Sequence, residues 1–193
     1  MNNQYLRIVT AAGLVTGAVL GIAGTFAPSA ELRSLSWGID GIALVVSSAL
    51  LVVYNLRMGR EQLAAGFLVF LAGQTLIVSG AALELEASVP SFAAGAGLWA
   101  AGIALVSAAP VMPRFVRVTG AIAAILLAVT SVQLFAGVTL TPLSKPLPYG
   151  AYPFLAVTMV GWAWTHVRRP VRDASRINKA RAHLLRALEL TAR

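Results

Sequence analysis

Side chains able to do chemistry are few in this chain, and they fall into three groups. Asp40, Glu84 and Glu86 sit at the ends of two apolar runs. Grouped carboxylates can form an acidic site for a cation or a cationic ligand, although a hard ion wants six or more oxygens in a fixed cage. The plainer reading is solvated loop acids. On that reading Asp40 stands one turn into its run, where the positive end of a helix favours a carboxylate.

The second group is uncharged: Gln74 and Ser79 in one apolar run, Thr130 and Gln133 in another. These can line a polar path or contact a ligand at depth. They also suit plain hydrogen bonds between helices, worth about 0.6 kcal/mol each on average. The third group, Arg168, Arg169, Arg172, Arg176 and Lys179, follows the last apolar run. Anionic lipid headgroups are the natural partner for such a cluster, at about 1 kcal/mol per cation.

What is missing narrows the chemistry further. There is no cysteine, hence no disulfide, thiolate metal site or cysteine nucleophile. No apolar run has an Asp, Glu, Lys, Arg or His at its centre, which removes a Schiff-base lysine, a bis-histidine haem site and the usual carboxylate proton relay of a pump. Nucleophile-elbow, zinc-protease, phosphate-loop and dinucleotide motifs are absent. The expectation is a protein that is not an enzyme and needs neither cofactor nor metal.

The elements that must position these residues are legible in the composition. Of 193 residues, 58% are hydrophobic and 11% charged, against about 25% charged in a soluble domain. The apolar runs cover 8–26, 39–54, 63–83, 92–112, 118–140 and 147–167. A helix crosses the hydrocarbon layer with about 20 such residues. The runs lack the alternation of a membrane barrel. The expected fold is an all-α polytopic integral membrane protein: a bundle of six transmembrane helices with short loops and a C-terminal amphipathic helix. Residues 1–170 form the six-span domain, and 171–193 form a basic amphipathic cytoplasmic tail.

The cations give the orientation. Of the fifteen Lys and Arg, only Arg33 and Lys145 fall in loops on one side; Arg7, Arg57, Arg60, Arg114, Arg117 and the tail fall on the other. Basic loops stay in the cytoplasm. Both termini are therefore expected there, in a bacterial cytoplasmic (inner) membrane. The net charge of +8 reads as this topology signal and a lipid contact, not as a nucleic-acid surface. Residues 27–30 faintly suggest a signal-peptide cleavage site, but the apolar run before them is long enough to span, so an uncleaved first helix is expected.

Gly13, Gly17 and Gly21 lie four apart, on one face of the first helix. Such a face lets a second backbone approach closely, in a homo-oligomer or within the bundle. Gly66, Gly73 and Gly80, seven apart, read the same way. An offset of 57 residues sets Arg57 on Arg114, Arg60 on Arg117 and Gly80 on Gly137, a weak repeat. Segment 139–153 carries four prolines, which forbid a regular helix. Its interleaved leucines and tyrosines suggest that it folds back on the bundle end, as a cap or a rigid turn. Together these features point to a non-enzymatic accessory or scaffold subunit packing with itself or with a larger membrane complex. The alternative is a small transporter or channel for a neutral or weakly polar solute, using Gln74 and Gln133.

Overall fold

The computed structural model of the chain describes residues 3–81 and 84–168. Arg169, Arg172, Arg176, Lys179 and the whole of 171–193 lie outside the described residues. The chain folds into α1 (Asn3–Thr25), α2 (Ala30–Arg57), α3 (Glu61–Ala81), α4 (Val89–Ala108), α5 (Arg114–Phe135), a 3-10 turn (Tyr149–Ala151) and α6 (Tyr152–Arg168). No strand occurs among the described residues. α1 to α5 are each long and apolar enough to cross a membrane.

Helix boundaries follow local chemistry. The Ser29 hydroxyl accepts the Leu32 N–H at 3.3 Å and so starts α2, with Glu31 in its first turn. Pro90 sits in the first turn of α4, where its missing N–H costs nothing. Gly59 (φ 66°) and Gly137 (φ 83°) end α2 and α5 in the left-handed region that only glycine enters freely.

α2 is longer than the apolar run from which it was expected. It has 28 residues rather than the 16 of 39–54, about 42 Å at 1.5 Å per residue. Arg33 marks the edge of the apolar stretch but does not stop a helix already capped at Ser29. Asp40 therefore lies nearly three turns inside α2, not one. The helix-dipole account of Asp40 fails for that reason and belongs to Glu31 instead.

The helices form a closed ring. Each packs on its neighbours in the chain, and α6 returns to pack on α1. Both ends of the described chain therefore lie at one end of the bundle, the termini end. The α1–α2, α3–α4 and α5–α6 connections lie at the other, the far end. Glycines line two of the helix contacts. On α1, Gly13, Gly17, Gly21 and Gly24 face Ser47, Leu44, Asp40 and Trp37 of α2 in antiparallel register. On α3, Gly66 faces Gly102, Gly73 faces Gly95, and Gly80 faces Ser91 of α4. The 57-residue offset has no structural counterpart at its glycines: Gly80 is packed inside α3, whereas Gly137 is an exposed turn residue.

Arginines close helix ends. The Arg7 guanidinium donates to the carbonyls of His166 (2.6 Å) and Val167 (2.5 Å) in the last turn of α6. Arg117 donates to Ser107 O at 3.0 Å, at the end of α4. The last carbonyls of a helix lack partners within it and carry the negative end of its dipole. Arg7→Ala is expected to lower stability by about 1–2 kcal/mol. Arg7→Lys should restore only part of this, since an ammonium lacks the guanidinium fork. Unfolding of the purified protein in mixed micelles, followed by loss of helical circular dichroism, measures both.

A candidate solute cavity on the bundle axis

A ring of helices leaves an axis that side chains must fill. Toward the termini end that filling is aromatic. Trp162 meets Phe67 and Phe70 edge-on at 5.1 and 5.4 Å, and Phe70 stacks on Trp99 at 5.7 Å. All four rings are buried. Toward the far end α1 turns small residues, Gly17, Ala18 and Gly21, to the axis beside Ile22 and Thr25, and the filling is incomplete. A cavity of about 80 Å³ remains, open to the centre of a water molecule. That is room for about five waters or an organic solute of comparable size.

The cavity wall is aromatic and aliphatic: Trp37, Phe92, Trp99 and Tyr152, with Leu44, Ile77, Val78, Leu155 and Met159. α5 contributes none of the lining residues. One carboxylate stands in this wall. Asp40 is 7% exposed, and its Oδ1 has no hydrogen-bond partner. It occupies the space left by two glycines: a Cβ at Gly17 would come within 3.0 Å of Oδ1, and one at Gly21 within 3.3 Å of Oδ2. These glycines lie two turns and one turn inside the far end of α1. Asp40 thus lies inside a helix long and apolar enough to span, in a wall that is mostly aromatic and aliphatic. An unpaired carboxylate in such a place is penalised by several kcal/mol.

The other polar groups of the wall are mostly engaged. Thr25 Oγ1 and Trp37 Nε1 both donate to Gly21 O, at 2.9 and 3.3 Å. Ser88 Oγ donates to Leu85 O at 2.7 Å. Tyr152 OH donates to Pro142 O at 2.6 Å and thereby fixes segment 139–153 at the rim. That segment crosses the end of α1, with the Tyr149 ring edge-on to Phe26 at 5.7 Å and Lys145 Nζ 4.7 Å from the Tyr149 ring centre. The Lys145–Pro146 and Leu147–Pro148 peptides are cis. Trp99 Nε1, also in the wall, is buried without a partner.

The residues singled out in the sequence separate in space. Of the three acids, Asp40 alone reaches the cavity; Glu84 and Glu86 are exposed in the α3–α4 connection. Gln74 is 1% exposed, with Oε1 unpartnered, beside Gly41 and outside the cavity lining. Ser79 faces outward and bonds Leu76 O; Thr130 is buried and bonds Leu126 O. Gln133 is half-buried on α5, which touches no part of the cavity. These four therefore do not combine into one path. Gly13, Gly17 and Gly21 serve the α1–α2 contact. Arg168 is exposed, with its guanidinium 3.5 Å from the Trp164 ring centre.

Sequence reasoning missed the depth of Asp40 and the role of Trp99. The first was findable. The Ser29 cap moves the start of α2 to Ala30, and Trp37, Asp40 and Leu44 then share one helical face, opposite the glycines of α1. Nothing in the spacing singles out Trp99 among the apolar residues of α4.

Comparison of the chain with protein-family models, curated proteins and solved structures finds no match. The fold itself defines the class: an all-helical membrane protein with at least five helices able to span.

Proposed function

We propose that this is a non-enzymatic six-span protein of a bacterial cytoplasmic (inner) membrane that takes a small, largely apolar solute into its axial cavity. It would act as a small transporter or channel component. The observation that carries this reading is the cavity itself, lined by residues of the far half of the bundle and lying beyond the aromatic column that fills the termini end. α6 serves as the sixth span, its 17 residues preceded by the 3-10 turn and packed between α1 and α5.

Both termini lie in the cytoplasm in this reading. Arg7, Arg57, Arg60, Arg114, Arg117 and Arg168 lie toward the termini end, so the cavity lies in the outer half of the bundle. The Trp164–Arg168 pair suits the level of lipid headgroups, where an aromatic ring and a cation each find a partner. Anionic lipid is the partner proposed for that end and for the basic tail. The accessory or scaffold reading draws on the glycine faces, the lack of charge at mid-depth and the basic tail. The glycine faces pack inside this chain, which removes one of those supports.

The test uses two small probes, n-butanol and n-butylammonium, with the protein in lipid nanodiscs. Binding is read from the emission of the cavity-lining Trp37 and Trp99. Ala18→Leu fills the cavity and serves as the blank for partition into lipid. At least one probe is expected to shift the emission of the native protein and to leave that of Ala18→Leu unchanged. If both proteins respond alike to both probes, the solute reading is wrong.

A further inference from the structure

We infer that the cavity selects a small organic cation, an alkylammonium whose N–H donates to Asp40 and whose hydrocarbon body lies against the aromatic wall; this rests on the cavity being a solute site. Asp40 is an acceptor nine-tenths buried in the cavity wall, and its Oδ1, packed against Gly17, has no hydrogen-bond partner. A neutral apolar solute would leave that carboxylate unpaired, and an anion would meet repulsion. A hard metal ion would find one carboxylate where it wants six or more oxygens. The nearby Thr25, Ser88 and Tyr152 hydroxyls are already committed as donors to backbone carbonyls.

An ammonium answers both halves of the site. Its charge pairs with the carboxylate, and the ring faces of Trp37, Phe92, Trp99 and Tyr152 attract cations as well as burying hydrocarbon. Among the described residues no cation is placed on Asp40. Arg33, the nearest along α2, lies two turns closer to the far end, and its Nε is buried without a partner. Helical side chains lean toward the N-terminus of their helix, which takes Arg33 away from Asp40. The cavity's size limits the guest to a short, slender amine.

The experiment compares n-butylammonium with n-butanol, its uncharged counterpart, and with sodium chloride alone, in nanodiscs at neutral pH. The native protein should bind n-butylammonium about tenfold or more tightly than n-butanol. Asp40→Asn should erase that preference while n-butanol binding persists. Equal binding of the two probes by the native protein overturns the inference and leaves the solute site standing. So does a response to sodium alone that matches the response to the amine, or a preference that survives in Asp40→Asn. Binding of neither probe overturns both readings. The native comparison decides the matter even if the Asn variant does not fold.

Discussion

Gly102→Ala is expected to destabilise the protein by about 3 kcal/mol, more than any other single methyl added to the bundle. A Cβ at this position would stand 2.6 Å from Phe70 N, 2.7 Å from Gly66 O and 2.9 Å from Phe70 Cα. All three are backbone atoms, and none can swing aside. α3 and α4 would have to part, and the paired approach of Gly73 and Gly95 (2.8 Å to Gly95 O) would loosen with them. In lipid this matters more than in water. Apolar side chains gain little by leaving lipid for protein, so close packing carries the association of helices. Gly38→Ala is the control: nothing lies within 4 Å of its Cβ, and the better helix former should be neutral or stabilising by up to about 1 kcal/mol. Reversible unfolding in mixed micelles compares the two. A Gly102→Ala protein as stable as Gly38→Ala would show that α3 and α4 can separate at no cost.

Trp162→Ala is expected to cost about 2–3 kcal/mol, below the 3–5 found when large aromatics are removed from soluble cores. The discount follows from the solvent: the unfolded reference in lipid already shelters the indole, so lost dispersion and the void remain as the main terms. The Trp162 ring is 1% exposed and touches both Phe67 and Phe70. Trp162→Phe should lose less than about 1.5 kcal/mol, since the indole Nε1 has no hydrogen bond to forfeit. The void left by alanine adjoins Phe70, which stacks on the cavity-lining Trp99. A longer amine such as n-hexylammonium should then bind better than it does to the native protein. Unfolding and probe titration on the same samples check both effects. Loss of stability without any gain for the longer amine would mean that Phe70 and Trp99 do not move.

How much of this was legible in the sequence differs from element to element. Apolar run length located all six helices, because lipid tolerates little else at that length. It misjudged where α2 starts, because hydropathy reads where the hydrocarbon begins, not where a helix does. That one error placed Asp40 on the surface and hid the site. The glycine spacings on α1 and α3 signalled close contact, but their partners were not readable. A small-residue face specifies how near a neighbour can come, not which neighbour it is. Gln74 and Gln133 stood out in the sequence only as amides at depth. The cavity depends instead on what is missing from α1 opposite Trp37 and Asp40, and no single residue announces a void.

The contact between Arg7 and the end of α6 joins groups 159 positions apart in the chain, and this has a bearing on how the protein is made. α1 is synthesised and enters the membrane first, but the carbonyls that Arg7 caps do not exist until α6 has emerged. Until then one flank of α1 faces lipid, and the hairpins α1–α2 and α3–α4, whose glycine contacts join sequence neighbours, can form alone. Contacts local in sequence form early, and distant ones must wait for the loop between them to close. The ring therefore shuts as the final event of assembly. A ribosome halted before α6 would leave an open arc of five helices in the bilayer, with the axis uncovered along its whole length.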